Sequence, residues 1–287
     1  MKKHVLFLTA LSLMSLPLFG CGGFWNKNSV HTRANEQTDH YNAGAFTYAA
    51  DQVEKVEVNW VSGSVTLKES KENTLSVSET GSLSEKQQLQ WLLEDGVLYI
   101  RFCASGYVGA FPPYSKDLTV ELPAGVTLTV DSVSGSIEVG SHTLEEAELS
   151  TVSGSIRGKG IEAKEIQLKS ISGSIRLDSL KAQEEVQLES TSGSIEPETL
   201  EAPEIEVDTV SGSVRLGLKG CKKAVLDSTS GSLYVKLLEG QGVAVTYKST
   251  SGKLHADSYR MEQGKMLFGD GSCTLKARTV SGSLTVE

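Results

Sequence analysis

The chain has 287 residues, of which 36 are Asp or Glu and 27 are Lys or Arg, so its formal net charge is −9. This acidic balance argues against a nucleic-acid-binding protein and against adhesion to anionic lipid by charge. Cleavage after residue 20 would remove two lysines and leave 25 basic against 36 acidic residues, a net charge of −11. The exclusion therefore holds for an exported form as well.

The first 20 residues are typical of a bacterial export signal. Lys2 and Lys3 precede an apolar run, Val5 to Leu18, which is too short to predict a membrane-spanning helix. The run ends in Leu18-Phe19-Gly20-Cys21, which resembles the bacterial lipobox. The resemblance implies cleavage before Cys21 and attachment of diacylglyceryl to its sulfur, which would hold the protein on the outer face of the membrane. The alternative is an ordinary signal peptide with a coincidental cysteine.

Residues 21–45 are predicted to be a flexible tether, because they are rich in Gly, Asn and other polar residues without a periodic pattern. Residues 46–123 are predicted to form an irregular N-terminal β cap with the first rungs of a repeat structure. In this region Asp95-Gly96 separates two apolar runs, as in a β-hairpin. Pro123-Ala124-Gly125 separates two further predicted strands.

A repeat structure needs a terminal cap that protects its exposed core and strand edges. The aromatic residues Trp60, Trp91 and Phe102 all lie in the predicted cap. We expect them to form the core of this cap, and the alternative is that they form a platform for a ligand.

The remaining chain is dominated by a Ser-Gly-Ser tripeptide, or a close variant, that recurs about every 19 residues. After a first occurrence at Gly63, the predicted turn glycines are Gly135, Gly154, Gly173, Gly193, Gly212, Gly231, Gly252 and Gly282. From Gly135 to Gly252 the steps are 19, 19, 20, 19, 19 and 21 residues. A nearly fixed period of this kind indicates stacked structural units rather than one globular core.

Within each unit, apolar residues alternate with polar ones on both sides of the glycine, as Ile166, Leu168 and Ile175 do around Gly173. This is the period of a strand with one buried face. We expect a corner at the glycine, whose backbone can adopt positive φ. The predicted fold is all-β, a right-handed parallel β-solenoid of roughly 19-residue rungs over residues 124–287. An all-β sandwich is the alternative.

The sequence predicts no catalytic residue, no metal site and no cofactor. A serine nucleophile needs an oriented base, and the histidines bear no repeating relation to any serine. We expect the Ser/Thr residue three positions before each glycine to be structural. The spacings of Cys and His do not indicate a metal, and the glycine-rich segments lack the helix and lysine of a phosphate loop.

Three cysteines remain after Cys21, namely Cys103, Cys221 and Cys273. In an exported chain an odd number leaves at least one thiol without an intramolecular partner. Cys221 and Cys273 are more than two rungs apart in sequence. We therefore expect unpaired cysteines that are buried or lie in turns.

Charged residues also fall into columns when the units are aligned. Eight positions before the glycine lie Glu146, Glu165, Glu185 and Glu204, and three positions after it lie Arg157, Arg176 and Arg215. Stacking would place the glutamates ~5 Å apart, which is unfavourable unless they are solvated or neutralised. One interpretation is two solvated faces, one acidic and one basic. The functional hypothesis is an acidic strip that binds a cation or a cationic peptide.

Three segments resemble a known family: LTVELPAG (residues 118–125), the Val/Thr-Ser-Gly-Ser-Ile units, and Phe268-Gly269-Asp270-Gly271 followed by a last Thr-Val-Ser-Gly-Ser unit. Over residues 46–287 the chain is similar to the bacterial putative-adhesin β-solenoid family, a domain of unknown function. The resemblance implies a surface or envelope protein, in some cases linked to envelope stress, without established catalytic residues. This chain has Ser where many relatives have Asp in a Ser-Gly-Asp version, so any role of that Asp is in doubt here.

The predicted function is that of a non-catalytic, lipid-anchored bacterial cell-envelope protein, either an adhesin-like surface or a scaffold. Its partners would be the membrane, through the lipid at Cys21, and an unidentified protein or glycan at the cell surface. The alternative is a glycan-active solenoid enzyme, a lyase or a hydrolase, which would set acidic residues in a groove.

Overall fold

The computed structural model describes residues 40–104, 114–256, 258–262 and 265–287. Cys21, the predicted cleavage site and most of the predicted tether lie outside the described residues. Most of the described residues lie in strands, which join in one continuous hydrogen-bonded sheet. None of its helical segments has the length and apolar character needed to cross a membrane. The all-β class predicted from the sequence is confirmed.

The described N-terminal part contains eight strands and the short 3-10 helix Ala50–Gln52. The strands are β1 (Asn42–Ala43), β2 (Phe46–Ala49), β3 (Lys55–Trp60), β4 (Val65–Glu69), β5 (Thr74–Glu79), β6 (Gln90–Glu94), β7 (Val97–Arg101) and β8 (Leu118–Leu122). β6 and β7 form an antiparallel hairpin. Its turn residues have positive φ, 50° at Asp95 and 78° at Gly96, as a type I′ turn requires. The hairpin predicted from the sequence is confirmed.

Parallel strands make up the middle of the molecule, and the residues that they pair lie about 19 positions apart in the chain. These strands are β9 (Thr127–Ser132), β10 (Ile137–Thr143), β11 (Glu146–Thr151), β12 (Ile156–Ser170), β13 (Ile175–Ser190), β14 (Thr199–Glu201), β15 (Glu204–Thr209), β16 (Val214–Lys219), β17 (Lys223–Ser228) and β18 (Leu233–Leu237). Leu149 lies opposite Leu168, which lies opposite Leu188. We call each glycine-centred unit a rung. This parallel register fits stacked rungs and not the antiparallel sheets of a sandwich.

The core lies between the strands of each rung and continues from rung to rung. Ile166, Leu168 and Ile175, which the alternation marked as inward-facing, are at most 2% exposed. Each sits opposite an apolar residue of the neighbouring rung. Because a single rung has no second layer to cover its apolar face, this burial exists only in the stack.

At the N-terminal end, the order of the rungs in space differs from their order in the chain. β3 lies between β7 and β9, and β4 lies between β8 and β10. The rung of Gly63 is therefore adjacent to the rung of Gly135, although the two glycines are 72 positions apart. β7 and β8 form a rung outside it. The long interval in the sequence thus encodes an outer rung with its hairpins and does not interrupt the stack.

At the C-terminal end the order is inverted again. The strands are β19 (Val243–Ser249), β20 (Leu254–Ala256), β21 (Arg260–Glu262), β22 (Lys265–Phe268), β23 (Cys273–Thr279) and β24 (Leu284–Val286). β23 lies between β17 and β19, and β24 lies between β18 and β20. The last rung of the chain is therefore inserted beneath the preceding one. The predicted run of regular rungs over 124–287 is interrupted by β21 and β22, which pair antiparallel as the chain returns.

This inserted rung brings Cys221 and Cys273 together. They form a disulfide with Cα atoms 5.4 Å apart, across 52 positions of sequence. The prediction of unpaired cysteines is wrong for this pair, because it assumed that rungs stack in chain order. Cys103 is buried and takes no part in this disulfide.

The aromatic residues of the N-terminal cap divide into two groups. Trp60 and Phe102 are buried, with ring centroids 4.9 Å apart, so their predicted place in the cap core is confirmed. Trp91 is only partly buried at the edge of that core and stacks on Phe46. Its ring also lines a cleft that opens to solvent.

Candidate functional site

The Ser/Thr residue three positions before each glycine closes the corner of the rung. In eight rungs the glycine N–H donates a hydrogen bond of 2.7 to 3.1 Å to this hydroxyl. The residues are Ser132, Thr151, Ser170, Ser190, Thr209, Ser228, Ser249 and Thr279. Thr151 and Ser170 also donate to the glycine carbonyl of the adjacent rung. This column therefore stabilises the turns and the stacking.

The central glycines are required by close approach between rungs. A Cβ added to Gly173 would lie 1.8 Å from the carbonyl oxygen of Gly154. The same clash, at 2.0 Å or less, recurs at Gly135, Gly154, Gly193, Gly212, Gly231, Gly252 and Gly282. Among the central glycines only Gly63 has a positive φ, 100°. The expectation that positive φ explains the corner glycines is therefore wrong for the rest of the column.

One surface of the stack is referred to below as the acidic face. It is the outward side of β3, β9, β11, β15, β17 and β23, together with that of the C-terminal halves of β12 and β13. The strand register places Glu146 opposite Glu165, Glu165 opposite Glu185, and Glu185 opposite Glu204. At the ordinary strand spacing of ~4.8 Å these four carboxylates form one line. Glu204 is paired with Lys223 of the next rung, at 2.8 Å. Within the described residues, the other three form no ion pair.

A second column of the acidic face carries a carboxyl with an unusual pKa. The pKa of Asp208 is raised to about 6, first by its partial burial against the neighbouring strands and then by the carboxylates of Asp227, Glu206 and Glu189. Arg278 opposes this shift and is hydrogen-bonded to Asp227. Burial, together with like charges on adjacent strands, thus brings the pKa of this carboxyl well above the ordinary range of an aspartate.

Asp131 lies in the same column as Asp208. Burial raises its pKa to about 6, against a lowering contribution from the hydrogen bond that Ser150 donates to it. The register places four strand spacings between Asp131 and Asp208, or about 19 Å at ~4.8 Å each. Paired glycosidase carboxyls lie about 5 to 9.5 Å apart, so these two do not form such a pair.

The predicted basic column does not form a basic stripe. Arg157 is paired with Glu138 at 2.6 Å, and Arg176 is paired with Glu196 at 2.8 Å. Arg215 instead lies over the ring of Tyr234. The prediction of a basic face is therefore wrong. It considered only the rungs with Arg three positions after the glycine and left out the rungs with Glu at that position.

A further outward surface, formed by the segments that close each rung, also has compensated charges. Glu162 pairs with Lys181 at 2.7 Å, and Lys219 lies between Glu201 at 3.4 Å and Glu239 at 2.9 Å. Opposite charges alternate here from rung to rung. The line of glutamates on the acidic face lacks this alternation, which makes that face electrostatically distinct.

The described ranges contain no group of three or more His, Cys, Asp or Glu side chains arranged to hold a metal ion. His142 occupies a buried position opposite Ile161, and burial lowers its pKa. His255 lies on the outermost rung, in β20. Because the Ser/Thr hydroxyls described above already bond to glycine N–H groups, they are engaged in turns rather than paired with a histidine base.

Comparisons with known proteins agree with this architecture. The model of the Toastrack DUF4097 family matches residues 53–287. Among solved structures, a "putative lipid binding protein" from Parabacteroides distasonis aligns with a TM-score of 0.51 at 13% identity, over 86% of this chain and 97% of that one. A "putative adhesin" from Bacteroides fragilis aligns with a TM-score of 0.48 at 13% identity, over 85% and 96%. The comparison with curated proteins gave no match. At 13% identity, the likeness to the protein from Parabacteroides distasonis shows only that the two chains share a fold.

Proposed function

Since the chain belongs to the Toastrack DUF4097 family, we propose that it is a non-catalytic, lipid-anchored protein of the bacterial cell envelope. Its stack of strands would present a contact surface, either adhesin-like or as a scaffold for an envelope-stress complex. The observation that carries this proposal is the acidic face, where Glu146, Glu165 and Glu185 follow one another without ion-pair partners among the described residues. Some structural relatives have adhesin names, which accords with a surface role.

The acidic face is suited to a positively charged partner. Its backbone is fixed by parallel hydrogen bonding from β9 to β23, so the carboxylates keep their spacing when a partner binds. Adjacent like charges raise the local negative potential and attract cations or cationic peptides. Binding of this kind weakens as salt screens the charges.

The test is titration of an octalysine peptide, and separately of Ca²⁺, against the full-length chain at low salt. The variant is Glu146→Gln/Glu165→Gln/Glu185→Gln/Glu204→Gln. The matched control removes four charges from the compensated surfaces, as Glu138→Gln/Glu162→Gln/Glu196→Gln/Glu201→Gln. We expect only the first set to weaken binding. Equal affinity for both variants, or no binding to the unmodified chain, would leave the strip as an ordinary solvated surface.

Lipid attachment at Cys21 is the second element of the proposal. The disulfide between Cys221 and Cys273 supports an extracytoplasmic location, because disulfides persist mainly in oxidising compartments. Cys21→Ser should release the protein from the membrane fraction and block processing. If the variant stays in the membrane with unchanged mass, the lipoprotein assignment is wrong.

We also propose that residues 1–20 are the signal peptide and that the rungs wind with a right hand, as parallel crossovers nearly always do. A tether over residues 21–45 would then separate the lipid from the cap. N-terminal sequencing and intact mass of the mature protein test the cleavage site. An experimental structure of the mature chain tests the hand.

The glycan-active enzyme remains the alternative, and the raised pKa of Asp208 favours it. A carboxyl that titrates near pH 6 suits a general acid, and Asp227 lies on the adjacent strand. A turnover screen of the protein against bacterial and host glycans decides between the two. Turnover that Asp208→Asn abolishes would replace the binding-surface proposal with an enzymatic one.

A further inference from the structure

A cleft of about 440 Å³ opens at the N-terminal end of the stack, on segments other than the strands that carry the line of glutamates. It is lined by Asn42, Tyr48, Gln52, Trp91, Leu92, Leu93, Asp95 and Gly96. Its lining comes from β6 and its turn, from β1, which pairs with β6, and from β2 and the 3-10 helix. Its volume lies within the ≈300–1,000 Å³ that is typical of sites for small ligands.

The aromatic part of this cleft is held in place by its neighbours. The Trp91 ring stacks on Phe46, with centroids 4.2 Å apart and planes 25° apart. Tyr48 meets Trp91 edge-on at 6.4 Å. These contacts hold the indole in position, while Trp91 itself remains partly exposed in the cleft. An exposed ring that is already fixed loses little side-chain entropy when a ligand packs on it.

The segments that line the cleft are also fixed by backbone hydrogen bonds. The Gly96 carbonyl accepts from the N–H of Glu54 at 2.8 Å and of Lys55 at 3.2 Å. Asn42 lies opposite Trp91 in the pairing of β1 with β6. The 3-10 helix is attached through the Ala50 N–H, which donates to the Asn73 carbonyl at 3.1 Å. The cleft is therefore preformed.

Three polar side chains complete the lining, the amides of Asn42 and Gln52 and the carboxylate of Asp95. All three residues are exposed, and within the described part of the chain no other protein group hydrogen-bonds to these side chains. The two amides can each donate and accept, and the carboxylate accepts. Sugar hydroxyls need both kinds of partner, and the C–H face of a sugar ring packs on an aromatic surface. A carboxylate in the lining disfavours an anionic ligand.

We propose that this cleft binds the end of a neutral oligosaccharide. One sugar ring would pack against Trp91 and Tyr48, and its hydroxyls would bond to Asn42, Gln52 and Asp95. This inference goes beyond the contact role of the acidic face, because it uses a different part of the molecule and an uncharged ligand.

The test uses the full-length chain in detergent, with triacetylchitotriose, cellotetraose and maltotetraose as probes. Binding is followed by calorimetry and by the NMR signal of the Trp91 indole N–H, which Trp91→Phe assigns. We expect at least one probe to bind saturably and to shift that signal. Trigalacturonate, an anionic probe, should bind more weakly than the best neutral one.

Gln52→Ala and Asn42→Ala alter exposed side chains and should each weaken binding about 3- to 10-fold, the value of one lost hydrogen bond. Trp91→Ala should weaken binding more, but this change also removes packing on Phe46. If the Trp91 variant fails to fold, the two polar variants alone provide the test. Tyr259→Ala, an aromatic residue 50% exposed near the opposite end, is the matched control and should have no effect.

Three results would overturn the proposal: no saturable shift of the Trp91 signal with any neutral probe, unchanged affinity in the Gln52 and Asn42 variants, or tighter binding of trigalacturonate. The glutamine substitutions on the acidic face should leave sugar binding unchanged. Failure of the acidic-face proposal and failure of this one are therefore separate results.

Discussion

The two ends of the stack are closed by different means. At the N-terminal end, antiparallel strands cover the outermost rung, and Trp60, Phe102 and Lys116 are buried beneath them. At the C-terminal end, the β21–β22 hairpin covers β19, and the disulfide links two neighbouring rungs. Tyr259 and Met261 remain 50% and 64% exposed there. The N-terminal end buries two large aromatic rings and a lysine, whereas the C-terminal end adds a covalent bond between the two rungs next to its outermost one.

The comparison shows what a repeat structure needs at its ends. In the middle, each rung finds its apolar neighbour one period away in the sequence. A terminal rung lacks one neighbour and must be held by contacts from outside the repeat. At both ends of this stack the order of the rungs in space differs from their order in the chain. The outermost rung is therefore preceded and followed in the sequence by segments that lie deeper in the stack.

The largest effect is expected from breaking the buried ion pair of the N-terminal end. Lys116 donates to Glu79 at 2.5 Å and to the Gln87 carbonyl at 2.7 Å, and the side chains of Lys116 and Glu79 are 1% and 7% exposed. Glu79→Ala would remove the carboxylate that faces this buried ammonium. We expect the free energy of unfolding to fall by about 3–5 kcal/mol in urea titrations.

The control for this variant is Glu121→Ala, whose partner Lys68 is 3.9 Å away and 55% exposed. A surface pair of this kind contributes at most about 1 kcal/mol. Equal losses for the two variants would show that the buried pair does not hold the N-terminal end.

Removal of the disulfide should weaken the opposite end. In Cys221→Ser/Cys273→Ser the crosslink across 52 positions is lost, and we expect about 2–4 kcal/mol less stability. Hydrogen exchange should accelerate in β19 and β23 and stay unchanged in β3 and β9. A reductant should destabilise the unmodified protein but not the variant. Uniform acceleration over both ends would contradict this division of roles.

The middle of the stack is tested by Gly173→Ala. Its methyl group would lie 1.8 Å from the Gly154 carbonyl oxygen, so neighbouring rungs must move apart, at a cost of about 2–3 kcal/mol. The control is Gly125→Ala, which has open space around the added methyl but a φ of 81°. We expect about 1–2 kcal/mol for the control. A larger loss at Gly125 would show that backbone conformation matters more than close approach.

The smallest effect concerns the acidic face and pH. The pKa values of Asp131 and Asp208 are raised from 3.8 to about 6, so the folded state binds more protons than the unfolded state between these values. Stability should therefore fall as pH rises from about 4 to about 6, and this loss should level off above pH 6. Asp131→Asn/Asp208→Asn should flatten that slope, measured by thermal unfolding. A slope that is unchanged in the double variant, or that has the opposite sign, would contradict the shifts; Asp178→Asn is the matched control.

The sequence predicted the repeated part of the molecule well. The alternation around Gly173 identified which residues are buried, and the Asp95-Gly96 pair identified a hairpin. The sequence also predicted that the Ser/Thr column has a structural role. These features depend on contacts within one rung or between rungs one period apart, and such contacts leave a regular pattern in the chain.

The tertiary structure alone decided the order of the terminal rungs, the disulfide and the buried Glu79–Lys116 pair. These contacts join residues 52 and 37 positions apart, and neither pair occupies equivalent positions of the 19-residue repeat, so no periodic signal marks them. The cleft beside Trp91 has the same origin, because its lining comes from β1, β2, the 3-10 helix and β6, which are separated in the sequence. The reason for each corner glycine is also tertiary: the Gly154 carbonyl excludes a side chain at Gly173 only once the rungs are stacked.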